Sequence, residues 1–295
     1  MAGIYVERYS GAAVWCQRLA FFLIPFFVTV IILYRLAKIE PAQLYALIGV
    51  GFVLALISLV FAFRSISELW SKGYRGGTMV VRGLLVTLVL LLPFVYYAYL
   101  ALQFPLANDV STDPFDPPIY VTAEKAREII GSDNVNLVGS YDREHALKII
   151  KAYPKLQPRR YPAGAERVLE AVRGIAEENE WPVTGTSGIP ENKPEATDSE
   201  LADNAQNDGT DQDVTSLEES IETPDDIFFE FIVHSAIFRF EQDVIVRIVS
   251  EDRNTLVDVR SSSRLGNHDF GYNAKVIEDF LTQLDASLLG IAGEG

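Results

Sequence analysis

The chain has 295 residues, enough for one or two compact units, and a formal net charge of −15; a nucleic-acid partner is disfavoured because no basic stripe with interleaved aromatics lies beyond the apolar N-terminal stretches. Its single cysteine, Cys16, excludes a disulfide framework and a cysteine zinc site. Nearly half of the residues are apolar, at 49%, and they are gathered toward the N-terminus.

Charge-free stretches run over 19–34, 41–63 and 83–104. The last two match the ~20 residues needed to cross a ~30 Å hydrocarbon core. The first becomes long enough once 14–17 are included and Arg18 snorkels toward the headgroups. Residues 1–104 are therefore expected to be a three-helix membrane anchor with spans at about 15–34, 42–63 and 83–104. A cleaved signal peptide is the alternative for the first span, but no small-x-small site follows it and the chain soon re-enters an apolar run.

Arg8, Arg18, Arg64, Lys72, Arg75 and Arg82 fall on one side of the spans, against Arg35 and Lys38 on the other. This asymmetry places the N-terminus and the 64–82 loop in the cytoplasm and everything beyond residue 104 outside it. No span carries an ionisable residue in its interior, which weighs against a transporter or proton relay. Gly51 and Ala55 are small enough to let helices approach closely.

Beyond the spans, residues 105–288 read as an exported α+β domain, an antiparallel sheet covered by amphipathic helices. The proline-rich "DVSTDPFDPP" (109–118) reads as a stalk or as a strap along the domain surface. Thr122 is an N-cap candidate for a short helix to Ile130, and "YPKLQPRRYP" (153–162) is extended. Residues 164–181 carry a helical period, with Val168, Ala171, Val172, Ile175 and Ala176 on one face. Segment 184–226 holds 13 acidic residues against Lys193 and no aromatic, so it is expected to be an acidic, disordered insertion.

Four strand-like runs follow, at 227–234, 235–240, 244–250 and 255–261, with "EQD" and "EDRN" as hairpin turns. If Ser250 faces Thr255, then Arg247 faces Asp258 and Ile245 faces Arg260. Asp243, Arg247, Asp258, Arg260 and Ser262 then share one face, and Val244, Val246, Ile248, Val257 and Val259 share the other. A last helix covers about 274–288.

"FRFEQDVIVRI" and "VDVRSSSRLGNHDFGYNAKVIEDF" complete a pattern that resembles the DUF1499 family, over about 109–288 without the insertion. The resemblance implies a fold unit with an envelope or membrane association and brings no assigned activity. Together with the spans it gives an expected location: a bacterial inner membrane, multi-pass, with the C-terminal domain periplasmic.

The candidate site is the turn from Arg260 to Asn273. Arg260 and Arg264 bracket Ser261 and Ser262 ahead of a helix N-terminus, where unpaired N–H groups favour an anion. Arg247 and Asp258 form the charged face beside it. The structural alternative is bracing: Arg264 paired with Asp269, Gly266 and Gly271 supplying positive φ, and Asn273 capping or bracing the helix. A catalytic alternative, a membrane-bound hydrolase, would use His268 and Asp269 with one of Ser261, Ser262 or Ser263, although no nucleophile elbow, metal spacing or phosphate loop is present. No cofactor or metal is expected. The expected partners are the lipid bilayer and an anionic or amphiphilic envelope component or protein.

Overall fold

The computed structural model describes residues 8–130, 135–139, 141–188 and 226–289. Three helices, α1 (Gly11–Arg35), α2 (Pro41–Lys72) and α3 (Gly77–Gln103), are each long and apolar enough to cross a membrane. They outrun their apolar stretches. Residues 64–82, expected as a loop, are helical on both flanks, and Gly73 ends α2 in the left-handed region at φ 65°.

Small residues let the bundle close. A Cβ on Gly51 would meet the Phe27 ring at 2.5 Å, and one on Gly83 would meet Cys16 Sγ at 2.8 Å and the Gln17 backbone nitrogen at 3.0 Å. Ala55 is fully buried between Leu23 and Leu91. Inside the bundle Ser58 Oγ lies 2.9 Å from Thr87 Oγ1 and donates to the Cys16 carbonyl at 3.3 Å, so its hydroxyl is satisfied away from water.

The rest of the described chain is an α+β unit. Strands β1 (Asp109–Ser111), β2 (Arg159–Tyr161), β3 (Val183–Ser187), β4 (Ile227–His234), β5 (Glu241–Ser250) and β6 (Thr255–Ser263) form one antiparallel sheet of order β1-β6-β5-β4-β3, with β2 also on the outer edge of β6. The register across the 251–254 turn is the expected one: Ser250 opposite Thr255, Arg247 opposite Asp258 and Ile245 opposite Arg260. Val244, Val246, Ile248, Val257 and Val259 face α6 (Ala165–Glu178) and α7 (Tyr272–Leu289), where Val168, Val172, Ile277, Phe280 and Leu284 complete the main core. Trp181 stacks on Phe231 at 5.0 Å to close its edge.

Residues 235–240 are not a strand. His234 pairs with Glu241, so "SAIFRF" is the connection, pinned by Ser235 through the Phe240 carbonyl (2.9 Å) and by its own Oγ on the Phe240 N–H (2.8 Å). "EQD" accordingly opens β5 rather than turning. Residues 184–187, expected within the insertion, belong to β3; the remainder over 189–225 lies outside the described residues. Gly188 lies directly against Asp226, so the two ends of that segment are neighbours.

The opposite face of the sheet is covered too. The strap reading of 109–118 holds: β1 joins the sheet, and the chain beyond it crosses the charged face to α4 (Thr122–Ile130). The N-terminus of α4 is capped by Glu230 of β4 rather than by Thr122; its carboxylate accepts from Val121, Thr122 and Ala123 N–H at 2.7, 3.1 and 2.9 Å. Helix α5 (Arg143–Ala152), not anticipated from the sequence, sends Ile149 into the main core.

Gly83→Leu should force α1 and α3 apart and lower bundle stability by about 1–3 kcal/mol. Thermal unfolding of the detergent-solubilised chain checks this, with Gly49→Leu, where a Cβ meets nothing within 4 Å, expected to be neutral.

Candidate functional site

The sequence-predicted arginines lie on the strap side of the sheet, each committed to internal partners. Arg247 donates to Asp258 at 2.6 and 3.0 Å and reaches Asp116 of the strap, at 2.8 Å to the carboxylate and 2.9 Å to the carbonyl. Arg260, 2% exposed, forms a two-pronged fork with Asp109 at 3.0 and 2.8 Å, and donates to the carbonyls of Pro118 (2.9 Å) and Gly139 (2.7 Å). Its guanidinium lies 5.1 Å from the Tyr120 ring centre and 4.9 Å from that of Tyr141. Burial works against its charge, but Asp109 outweighs burial and holds the pKa above the ordinary guanidinium value. Burial, then the Asp109 charge, pushes the hydroxyls of Tyr120 and Tyr141 well above the usual phenol range.

Asp243, 1% exposed, is the centre of a second cluster. It accepts from Arg264 at 2.8 and 2.7 Å and from Arg127 Nε of α4 at 2.8 Å. Arg127, wholly buried, also donates to Ser262 Oγ (3.1 Å), to the Ser262 carbonyl (2.7 Å) and to the Asn136 carbonyl (3.1 Å). Arg264 further pairs with Glu241. The expected Arg264–Asp269 bridge is therefore not formed, because Asp243 offers Arg264 a bidentate partner on the adjacent strand.

Asp269 instead caps α7. Its two oxygens accept from Gly271 and Asn273 N–H, both at 2.9 Å, and burial raises its pKa despite those bonds. Gly266 and Gly271 do adopt positive φ, at 79° and 80°. Asn273 lies inside the helix and braces rather than caps: its amide donates to the Asn108 carbonyl (2.9 Å) and Ser263 Oγ (3.0 Å), and it accepts from Ser261 Oγ (2.8 Å). The hydroxyls of Ser261, Ser262 and Ser263 thus meet Asn273 and Arg127, and no hydrogen bond among the described residues joins any of them to His268. The His268 Nδ1 accepts from Phe270 N–H at 3.0 Å, which puts the proton of the neutral ring on Nε2, and Nε2 is buried without a partner. Asp269 spends both oxygens on backbone, so these residues form no nucleophile–base–carboxylate relay.

Three residues central to this arrangement, Asp109, Arg127 and Asp243, escaped the sequence-based site. Asp243 was on the right face by alternation. Arg127 carries no signal of its own, since an arginine on a short helix reads as solvent-facing.

Beside this turn the domain meets the membrane bundle. Gly271 lies against the Phe104 ring at the end of α3, where a Cβ would come within 2.9 Å of it. Tyr97 of α3 packs edge-on to Phe270 at 5.2 Å, and Phe104 stacks with Tyr153 at 6.1 Å. On the other flank Arg35 donates to the Ala236 carbonyl at 3.0 Å, and Tyr34 and Tyr45 hold Phe240 at 5.7 and 6.4 Å. Between α3 and α7 this seam leaves a cleft of about 460 Å³, walled by Tyr96, Tyr97, Leu100, Phe270 and Tyr272, with Lys275, Glu278 and Asp279 at its rim.

A bundle of three helices, each long and apolar enough to cross a membrane, bearing a three-layer α+β domain is the class that these features define. Residues 109–284 match the family model described as Protein of unknown function (DUF1499), and the chain belongs to that family. Comparison with curated proteins and with solved structures gives no match.

Removing one partner of the Arg260–Asp109 fork strands the other as a buried charge, so Arg260→Ala and Asp109→Ala should each cost about 3–5 kcal/mol, while the paired Arg260→Met/Asp109→Leu change should be far milder. Denaturant unfolding of the three variants in detergent checks this ordering.

Proposed function

We propose that this chain is a multi-pass envelope protein of the bacterial inner membrane, with its N-terminus in the cytoplasm and its α+β domain outside, and that the domain binds an amphiphilic envelope component in the cleft between α3 and α7. Orientation is supported by the lysine and arginine asymmetry, since Arg8, Arg18, Arg64, Lys72, Arg75 and Arg82 flank one end of the bundle. The single observation that carries the binding reading is the position of the cleft. Its lower wall is the last turns of a membrane-spanning helix and its upper wall is a folded domain, so a molecule with a chain in lipid and a polar end above it reaches both. Its volume falls within the range of small-molecule sites, and aromatic walls with a few polar groups are the usual lining of such sites.

The alternative of an anion held by the Arg260–Asn273 turn is less well supported, because Arg260, Arg264 and Arg247 are forked to carboxylates and the α7 N-terminus is occupied by Asp269. Those residues serve this reading as the frame that holds the 266–272 loop against α3. The hydrolase alternative has no assembled relay behind it.

A periplasm-active reporter fused after Leu288 should be active and a cytosol-active one silent; the reverse would overturn the orientation. The gently extracted chain should carry amphiphile into native mass spectrometry, and Leu100→Trp, which fills the cleft from α3, should strip most of it while leaving the melting temperature unchanged.

A further inference from the structure

Resting on the cleft as a binding site, we infer that its occupant is a membrane phospholipid bearing an ammonium headgroup, and that the cleft selects it over an anionic lipid with the same chains. The walls carry four aromatic residues, Tyr96 and Tyr97 from the C-terminal turns of α3 and Phe270 and Tyr272 from the domain. A cation seated among such rings is attracted by their quadrupoles. The rim adds charge of the matching sign. Glu278 and Asp279 stand against Lys275 alone, and Asp269 adds a further carboxylate in the lining, so the local balance is negative. No arginine lines the cleft. An anionic headgroup would enter a site whose net charge repels it.

The one cation present has a specific place in this scheme. Lys275 Nζ lies 2.7 Å from Asp279 Oδ2, with side chains 66% and 55% exposed, a pair weak enough to open. A zwitterionic headgroup offers the same two charges in complementary order: its phosphate to Lys275 and its ammonium to Asp279 and Glu278. Independent of charge, Tyr153 lines the cleft at 9% exposure with a buried hydroxyl that has no hydrogen-bond partner. A native wall with an unpaired polar group is the kind of position that a ligand completes.

The test uses the full chain, extracted in mild detergent and exchanged against equimolar phosphatidylethanolamine and phosphatidylglycerol of identical acyl composition, read by native mass spectrometry. Phosphatidylethanolamine should be retained over phosphatidylglycerol by about tenfold. Glu278→Gln/Asp279→Asn, at exposed positions, should reduce the ratio to near one without changing the melting temperature. Tyr97→Leu should weaken retention of phosphatidylethanolamine more than of phosphatidylglycerol. Equal or preferential retention of phosphatidylglycerol by the unaltered chain, or a preference that survives the double substitution, overturns the headgroup assignment and leaves amphiphile binding standing. Retention of neither lipid, or retention that Leu100→Trp does not diminish, overturns the cleft itself.

Discussion

Asp243 is held between two guanidinium groups, Arg127 on α4 and Arg264 beyond β6, and the second face of the sheet is organised around that clamp. A buried carboxylate is tolerable only when paired and fully hydrogen-bonded. Here each guanidinium brings a separate piece of chain with it. Arg127 fixes α4 over the sheet, Arg264 fixes the start of the 264–271 turn, and through Ser262 Arg127 also reads the position of β6. The neighbouring forks, Arg260 with Asp109 and Arg247 with Asp116 and Asp258, fasten the strap along the same face. Ion pairs of this kind add little net stability over an apolar packing of equal volume. Their contribution is geometric: only one placement of strap, helix and turn satisfies every charge.

That placement is transmitted to the three-helix bundle by a short piece of chain. Only residues 104–108 separate α3 from β1, and they are tied into the domain rather than spanning a gap. The Ala107 carbonyl accepts from Asp269 N–H at 2.9 Å, and the Asn108 carbonyl accepts from Ser263 N–H at 2.8 Å and from the Asn273 amide at 2.9 Å. Phe104 fills the space that Gly271 leaves by lacking a Cβ. The β4–β5 connection makes a second contact through Phe240, so the domain is seated on the bundle at two separated points, with aromatic rings at both. Two such contacts resist rocking about either one.

The sequence made plain whatever depends on local periodicity. Uncharged runs marked the three membrane helices, alternation with the short 251–254 turn set the β5–β6 register residue by residue, and a 3.6-residue period found α6 and α7. What stayed hidden depends on partners far along the chain. Arg127 and Asp243 are 116 residues apart, and neither composition nor spacing says that an arginine in "TAEKAREII" is wholly buried. Glu230, which interrupts an otherwise apolar strand, reads as an irregularity until α4 is placed above it. The run 235–240 reads as strand because its rings are apolar, yet Phe240 packs on Tyr34 and Tyr45 of the bundle and Phe238 stacks on Phe240. In the same way Asp269 outcompetes Asn273 as the helix cap because the αL geometry at Phe270 and Gly271 turns the backbone N–H groups of residues 271 and 273 toward it.

Across the strap face the arginines, carboxylates and carbonyls are matched, while the Ser111 hydroxyl of β1, opposite Arg260, is buried without a partner among the described residues. Gln242 Oε1 on β5 is likewise unpartnered, as are the Tyr153 hydroxyl and His268 Nε2 in the segments that meet the end of α3. A buried polar atom without a protein partner marks a strained position or one that water, an ion or another molecule completes. The conspicuous arginine and serine run at 260–264 is an internal frame: Arg260 is spent on Asp109, Arg264 on Asp243 and Ser261 on Asn273, which together set the path of the chain into α7.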